Sequence, residues 1–169
     1  MNKYLVTGRA GSGKSEVNTE LQQRNQNSLD TDKKPGLASW RDLASGERVK
    51  VGAFVDSSKT GWMWDNSVLR GILQAKKKLI LCGSADNDLE YFELFDKVYV
   101  LTLDPETQRQ RLTERPSSYG KDLAMQDKII AEQTQFVADS MKLGAVAIDN
   151  TRPIKTVVDE ILGRIPSGE

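Results

Sequence analysis

Gly8-Arg9-Ala10-Gly11-Ser12-Gly13-Lys14-Ser15 has the spacing G-x-x-x-x-G-K-[ST]. The motif stands between an apolar run, Tyr4-Leu5-Val6, and a helical pattern from Lys14 to Gln26, the strand-loop-helix setting it requires. Glycines at 8, 11 and 13 let the backbone curl until successive N–H groups, that of Ser12 among them, point at one anion, and the positive end of the following helix adds to that field. Lys14 is then placed to reach β- and γ-phosphates, and the Ser15 hydroxyl to ligate Mg²⁺. A second constellation is Leu29-Asp30-Thr31-Asp32, which closes the next short strand, Ser28 to Asp30. A period of two puts both carboxylates on one side, where one can hold Mg²⁺ through its water shell while the other accepts the proton of an attacking hydroxyl. The competing reading is that Asp30 and Asp32 are turn residues ahead of Lys33-Lys34-Pro35-Gly36.

Composition removes other chemistries. The 169 residues contain no histidine, which excludes Ser-His-Asp and Cys-His relays and imidazole-based zinc or iron sites. The single cysteine, Cys82, excludes an intrachain disulfide and reads as a buried strand residue. With 24 basic and 24 acidic residues, the field of a dedicated nucleic-acid binder is missing. No apolar run approaches the roughly 18 residues of a membrane span, so a soluble, cytoplasmic protein is expected, without a membrane partner. Neither N-K-x-D nor a D-x-x-G switch of a GTPase is present, and the buried strand Leu79 to Cys82 runs into Cys82-Gly83-Ser84 without the acidic pair of a motor ATPase.

The elements that must position these residues alternate. Short apolar runs at Tyr4–Val6, Ser28–Asp30, Leu79–Cys82, Val98–Leu101 and Ala145–Ile148 lie between helical patterns at 14–26, 65–77, 87–94, 105–114, 122–142 and 153–163. This is the pattern of an α/β domain built on a mostly parallel sheet. Asp104-Pro105-Glu106 and Asp65 supply helix starts. Residues 33–64 break the alternation, with Trp40, Trp62, Trp64 and one weak strand candidate, Val49 to Val55, and read as an insertion. The tryptophans make either a shelf for a planar substrate or the insertion's own small core. One domain over 1–165 and a frayed tail at 166–169 are expected.

The phosphate loop, Asp30-Thr31-Asp32, Gly83 after the third strand of the alternation, and an arginine-bearing segment before a long helix resemble the shikimate kinase and gluconate kinase branch of the adenylate-kinase-like P-loop kinases. Pro35 to Trp40, Gly46-Glu47, Trp62 to Asp65, Leu81 to Gly83, Phe92 to Asp96, Tyr119 to Lys121 and Asp149 to Pro153 are similar to small P-loop proteins labelled AAA-family or adenylate-kinase-like ATPases. The resemblance implies a P-loop NTPase fold: a five-stranded parallel sheet in the order 2-3-1-4-5 flanked by helices, a substrate-binding insertion at 33–64 and a lid at 109–122. It places Asp30 on the Mg²⁺ side and Asp32 on the acceptor side, or the reverse. In the lid, Arg111 and Arg115 lie four apart on one helix face, with Arg109 nearby; they are either phosphoryl-clamping catalytic groups or partners of Glu106, Glu114 and solvent. Arg152, in the loop before the last helix, would meet the adenine. The turn Cys82-Gly83-Ser84 is poorer in glycine than that of shikimate kinase, and no arginine matches its carboxylate clamps, which argues against shikimate itself. The expected activity is transfer of the γ-phosphoryl group of ATP, with Mg²⁺, to a hydroxyl or phosphate of a small molecule by a monomer or weak dimer. The rival is a nucleotide-binding regulatory module that hydrolyses ATP slowly.

Overall fold

The computed structural model of the protein describes residues 2–51, 56–117 and 119–166. Five parallel strands form the main sheet: β1 (Asn2–Thr7), β2 (Ser28–Asp30), β5 (Lys78–Cys82), β6 (Lys97–Thr102) and β7 (Val146–Asp149). Their order is β2-β5-β1-β6-β7, which is 2-3-1-4-5 when the sheet's own strands are counted along the chain. Five α-helices, α1 (Lys14–Gln23), α2 (Asn66–Gln74), α3 (Pro105–Glu114), α4 (Leu123–Lys142) and α5 (Ile154–Gly163), connect and cover the strands. The remaining strands, β3 (Ala38–Asp42) and β4 (Thr60–Trp64), pair antiparallel as a separate hairpin inside the insertion.

Alternation along the buried strands builds two cores at once, because successive side chains point to opposite faces. Leu5, Leu79, Leu81, Val98 and Val100 face α2 and α4, where they meet Leu69, Leu73 and Phe136. Tyr4, Val6, Ile80, Cys82, Tyr99 and Leu101 face α1 and α5, where they meet Val17, Leu21, Val157, Val158 and Ile161. Each fully buried aliphatic chain contributes about 1.5–3 kcal/mol relative to exposure. Ile165 belongs to the second core, so the ordered chain runs at least to that residue; of the expected frayed tail, residues 167–169 lie outside the described residues.

Side-chain caps start three helices. Asp65 accepts from the N–H groups of Ser67 and Val68, Asp104 from that of Thr107 with Pro105 in the first turn, and Asp122 from those of Ala124 and Met125. Helix α1 ends at Gln23 rather than Gln26, because Asn25 turns left-handed at φ 57° while the N–H groups of Asn25 and Gln26 bond back to Gln22 and Leu21. The pattern at 87–94 forms a 3-10 helix, Asp88–Leu94. Of the strand candidate Val49 to Val55, only residues 49–51 are described, and they carry no strand. Val49 only donates its N–H to the Trp40 carbonyl across a tight turn, residues 52–55 lie outside the described residues, and the paired strands are the tryptophan-bearing β3 and β4.

The turn after β5 depends on its glycine. Parallel pairing sets Asp30 beside Cys82, so the next residue, the buried Thr31, crosses directly over Gly83. A Cβ on Gly83 would lie 1.6 Å from Thr31 Oγ1 and 2.6 Å from Thr31 Cβ. Gly83→Ala is therefore expected to destabilise the protein by about 1–3 kcal/mol or more in urea unfolding, a cost of overpacking. Thr31→Gly in the same chain should recover most of the loss, and an unchanged midpoint for Gly83→Ala would refute the crossing.

Candidate functional site

The C-terminal ends of all five parallel strands lie on one rim, and the loop Gly8 to Gly13 rises from its centre between β1 and α1. Helix α1 has no side-chain cap: Gly13 precedes it in left-handed backbone at φ 96°, and the first N–H groups of the helix are left to the loop's mouth. Gly13 is needed for space as well, since a Cβ there would lie 2.2 Å from Asn150 Nδ2.

Three buried amide side chains hold the loop from behind. Gln108 on α3 donates to the Ala10 carbonyl at 2.8 Å, Asn150 after β7 donates to the Ser12 carbonyl at 2.6 Å, and Gln133 on α4 accepts the Arg9 N–H at 2.6 Å. Gln133 also donates to the Leu101 carbonyl at the end of β6, so each end of its amide is satisfied. Sequence reasoning missed all three. A signal existed on α4, where Gln126 and Gln133 share the inward face with Ile129 and Phe136 at helical spacing. A polar residue on such a face must find buried partners. Gln126 does the same service for the segment between α3 and α4, donating to the Gly120 carbonyl and to Thr113.

The first variable residue of the loop, Arg9, leans away from the mouth. Its guanidinium donates to the Ala85 carbonyl and to both carboxylate oxygens of the fully buried Asp88, and it lies 3.7 Å above the Phe136 ring. Asp88 also accepts from Thr7 Oγ1 at the end of β1. Arg9 thereby ties the loop to the chain after β5.

Lys14 folds over the mouth, donating to the carbonyls of Gly8 at 2.5 Å and Arg9 at 3.2 Å. Loss of water around the ammonium brings its pKa down from 10.5 to about 8, against the upward pull of Asp32. Ser15 Oγ donates to Asp30 Oδ2 at 3.1 Å, and Asp30 is nearly buried. The two carboxylates do meet the loop, for a reason other than strand alternation. After Asp30 the chain enters a 3-10 turn, Thr31–Lys33, in which Asp30 Oδ1 caps the Asp32 N–H. Asp32 is carried outward, exposed at the cleft, with Trp62 Nε1 3.4 Å from its Oδ1. Partial loss of water raises its pKa above the ordinary aspartate value, with Lys14 opposing.

The arginines divide. Arg111 on α3 reaches the loop: Nη2 donates to the Asn150 carbonyl at 2.7 Å, while Nη1 is buried without a hydrogen-bond partner among the described residues and lies 3.3 Å from where a Gly13 Cβ would be. Arg115 does not share a helix face with it, because Arg115 is the extended residue that ends α3. Its guanidinium has no hydrogen bond or ion pair among the described residues, and its charge is felt at Lys14 and Asp32. Arg109 pairs with Asp127 at 2.5 Å and points away from the loop. Arg152 is held by Glu160 and Asp149. Of the tryptophans, Trp64 is buried in the main core, while Trp40 and Trp62 form a half-buried pair with ring centres 5.5 Å apart. Cys82 is buried and its thiol pKa is pushed far above the ordinary range by loss of water, which removes it as a nucleophile.

Ser15 and Asp30 offer two adjacent oxygen donors of the kind Mg²⁺ prefers. Among the described residues no group of three His, Cys, Asp or Glu could hold a metal by itself, so a cation here would take its remaining ligands from phosphate and water. Nor is any helix among the described residues long and apolar enough to cross a membrane.

A family model described as AAA domain matches residues 5–135. No curated protein sequence matches the chain. Among solved structures, a shikimate kinase from Acinetobacter baumannii in complex with shikimate superposes with a TM-score of 0.62 at 17% identity, over 95% of this chain and 90% of that one. A deoxyadenosine kinase from M. mycoides with bound dATP superposes at 0.61 and 12% identity, over 97% and 98%. A gluconokinase from Sinorhizobium meliloti 1021 superposes at 0.55 and 16% identity, over 96% and 90%. These likenesses establish a common fold and leave the chemistry to the site.

The Arg9–Asp88 pair gives a stability test. Asp88→Ala leaves the guanidinium partly buried beside Ala85 without its counter-charge, and a loss of about 3 kcal/mol is expected in denaturant unfolding. Replacing both partners, Arg9→Met with Asp88→Ala, should cost less than the sum of the two single changes; losses that simply add would mean that the pair is not coupled.

Proposed function

As the chain belongs to the AAA domain family, we propose that it is a phosphotransferase that moves the γ-phosphoryl group of ATP, in the presence of Mg²⁺, to a hydroxyl or phosphate of a small molecule. The observation that carries this reading is the division of the two carboxylates. Asp30 is nearly buried and bound to Ser15 Oγ, whereas Asp32, two residues on, stands open at the cleft within the fields of Lys14 and Arg115. An enzyme that merely hydrolyses ATP needs a positioned water. A group-transfer enzyme needs an open wall beside the γ-phosphate where a second molecule can present its oxygen, and the Asp32 side supplies one. The three kinases of like fold support the same reading.

In this assignment the N–H groups of Gly11, Gly13, Lys14 and Ser15 and the positive end of α1 receive the phosphates, while those of Arg9 and Ser12, the latter expected at the anion, are already bonded to Gln133 and to the Arg9 carbonyl. Lys14 swings from the Gly8 carbonyl onto the β- and γ-oxygens, and Arg111 and Arg115 approach from the lid side. Ser15 and Asp30 are the residues that would hold Mg²⁺, which supplies neutralisation of charge on the β- and γ-phosphates. The acceptor oxygen attacks the γ-phosphorus, the bond to the β–γ bridging oxygen breaks, ADP leaves, and the hydroxyl proton passes to Asp32. Arg152, beside the last strand's loop, is assigned to the nucleotide base.

Two measurements test the assignment. Asp32→Asn should keep Mg²⁺-ATP affinity while lowering kcat roughly 10²- to 10⁴-fold. Asp30→Asn should weaken the Mg²⁺ dependence as well, with partial rescue by added Mg²⁺. Full activity in both would return the pair to the role of turn residues. Turnover that no small molecule stimulates would instead fit a regulatory module with slow hydrolysis.

The second test uses Lys14. Phosphate favours the charged ammonium, so nucleotide binding must raise a pKa that stands at about 8 in the free protein. Below pH 8 the amine is already charged and binding takes up no proton there. Above pH 8 each bound nucleotide brings a proton with it, and affinity should fall, by up to about tenfold per pH unit. Calorimetry with a non-hydrolysable ATP analogue in two buffers at pH 8.5 should show net proton uptake that Lys14→Arg abolishes. Equal heats in both buffers would remove Lys14 from the phosphate site.

A further inference from the structure

The insertion's small sheet has two unlike faces, and only one of them meets Asp32. Pairing Trp40 with Trp62, Ala38 with Trp64 and Asp42 with Thr60 puts these six side chains on one face. On that face Trp64 enters the main core, and Trp62 reaches Asp32. Arg41 pairs with Gly61 and, across the tight turn, with Arg48, so both arginines belong to the other face. Arg41 is held there by Asp65 at 2.9 Å and by the Gly46 carbonyl. The wall presented to the acceptor by the insertion is therefore aromatic and carries no cation.

The cations near this wall are engaged elsewhere. Arg9 is spent on Asp88 and the Ala85 carbonyl, Lys33 lies 3.8 Å from Asp30, and Lys128 sits 3.7 Å from Glu132 and donates to Ser57. Between residues 51 and 119, those outside the description are Gly52, Ala53, Phe54, Val55 and Ser118, none of them charged. The exposed Lys34 is not among the charges that act most on Asp32; Lys14 and Arg115 are, and the transferring phosphoryl group claims both. Asp86 Oδ2 accepts the Trp62 backbone N–H at 2.7 Å and lies toward the Gly61 side of the small sheet, away from the aromatic face. A carboxylate or phosphate on an acceptor stacked on Trp62 would face Asp32 with no counter-charge beyond those the phosphoryl group claims, a juxtaposition that acts against an anionic partner.

Resting on the phosphotransferase reading, we infer that the acceptor is an uncharged ring compound that stacks on Trp62 and presents a hydroxyl to Asp32. A nucleoside base and the C–H face of a cyclic sugar both meet that description, and indole supplies a large rigid surface for either.

The experiment uses the full chain saturated with Mg²⁺ and a non-hydrolysable ATP analogue, and compares adenosine with AMP and glucose with glucuronate by calorimetry. In at least one pair the neutral compound should half-saturate at a concentration roughly tenfold or more below its anionic counterpart. The pair that responds separates nucleoside from sugar. Trp62→Ala should weaken binding of that neutral compound roughly tenfold with nucleotide binding intact, Trp62→Phe should keep most of the affinity, and Lys34→Gln, at an exposed lysine two residues past Asp32, should leave the neutral-over-anionic preference unchanged. Tighter binding of AMP or glucuronate, or no binding of either neutral compound at about 1 mM, overturns the inference. Either result leaves the phosphotransferase reading standing so long as the nucleotide analogue binds in a Lys14-dependent way; loss of nucleotide binding takes both.

Discussion

A loop that receives phosphate has to gather its backbone N–H groups as a cluster of like dipoles and keep them unsatisfied by the protein's own carbonyls, against the tendency of every buried backbone group to find a partner. Within the loop the Ser12 N–H bonds the Arg9 carbonyl. Further restraint comes from outside, through Gln108, Gln133 and Asn150, each bonded to a backbone group on the loop's far side. The three amides arrive from α3, α4 and the end of β7, so the positions of those elements follow from the demands of residues 9–12. Arg111 adds a strut by bonding the Asn150 carbonyl, which couples α3 to the residue that braces Ser12.

The parallel sheet makes this bracing possible. Strands running the same way bring Thr7, Asp30, Cys82, Thr102 and Asp149 to one rim, and the loops that follow them share the space above it. Crowding on that rim decides residue identity at several points. Thr31 crosses Gly83 where no Cβ fits, and Arg9 turns aside to Asp88, which anchors the 3-10 helix after β5. The phosphate loop, the acidic turn and the segment after β5 are thus locked to one another. The open edge is left to Asp32.

The insertion is attached by imitation of strand pairing. Beyond β4, Asp86 exchanges two 2.7 Å bonds with the Trp62 backbone, and the Asn87 side chain both accepts from and donates to the Trp64 backbone. A free strand edge is closed in this way by two side-chain-rich residues rather than by another strand. The arrangement fixes the hairpin's rotation, and with it which of its two faces looks at Asp32.

Much of this architecture was legible in the residues. The apolar runs, the Asp caps and the loop spacing act locally: a strand needs its apolar alternation, a helix start needs an acceptor within three residues, and a phosphate loop needs its glycines and its lysine in consecutive order. The chain alone therefore determined the alternating α/β order, the loop from Gly8 to Ser15, and the association of Asp30 and Asp32 with it. Contacts between residues far apart in sequence were decided only in three dimensions. Asn150 is 138 residues from Ser12, and Gln133 is 124 from Arg9, and no local pattern relates them. The same holds for Arg109 and Arg115, which looked alike until Asp127 engaged one and the end of α3 turned the other loose. The hairpin was missed for a related reason. Its strands pair across a long intervening loop and are held by Asp86 and Asn87 from a later turn, so the stabilising partners of Trp62 and Trp64 lie outside any window in which strand alternation can be read, and only the folded chain supplies them.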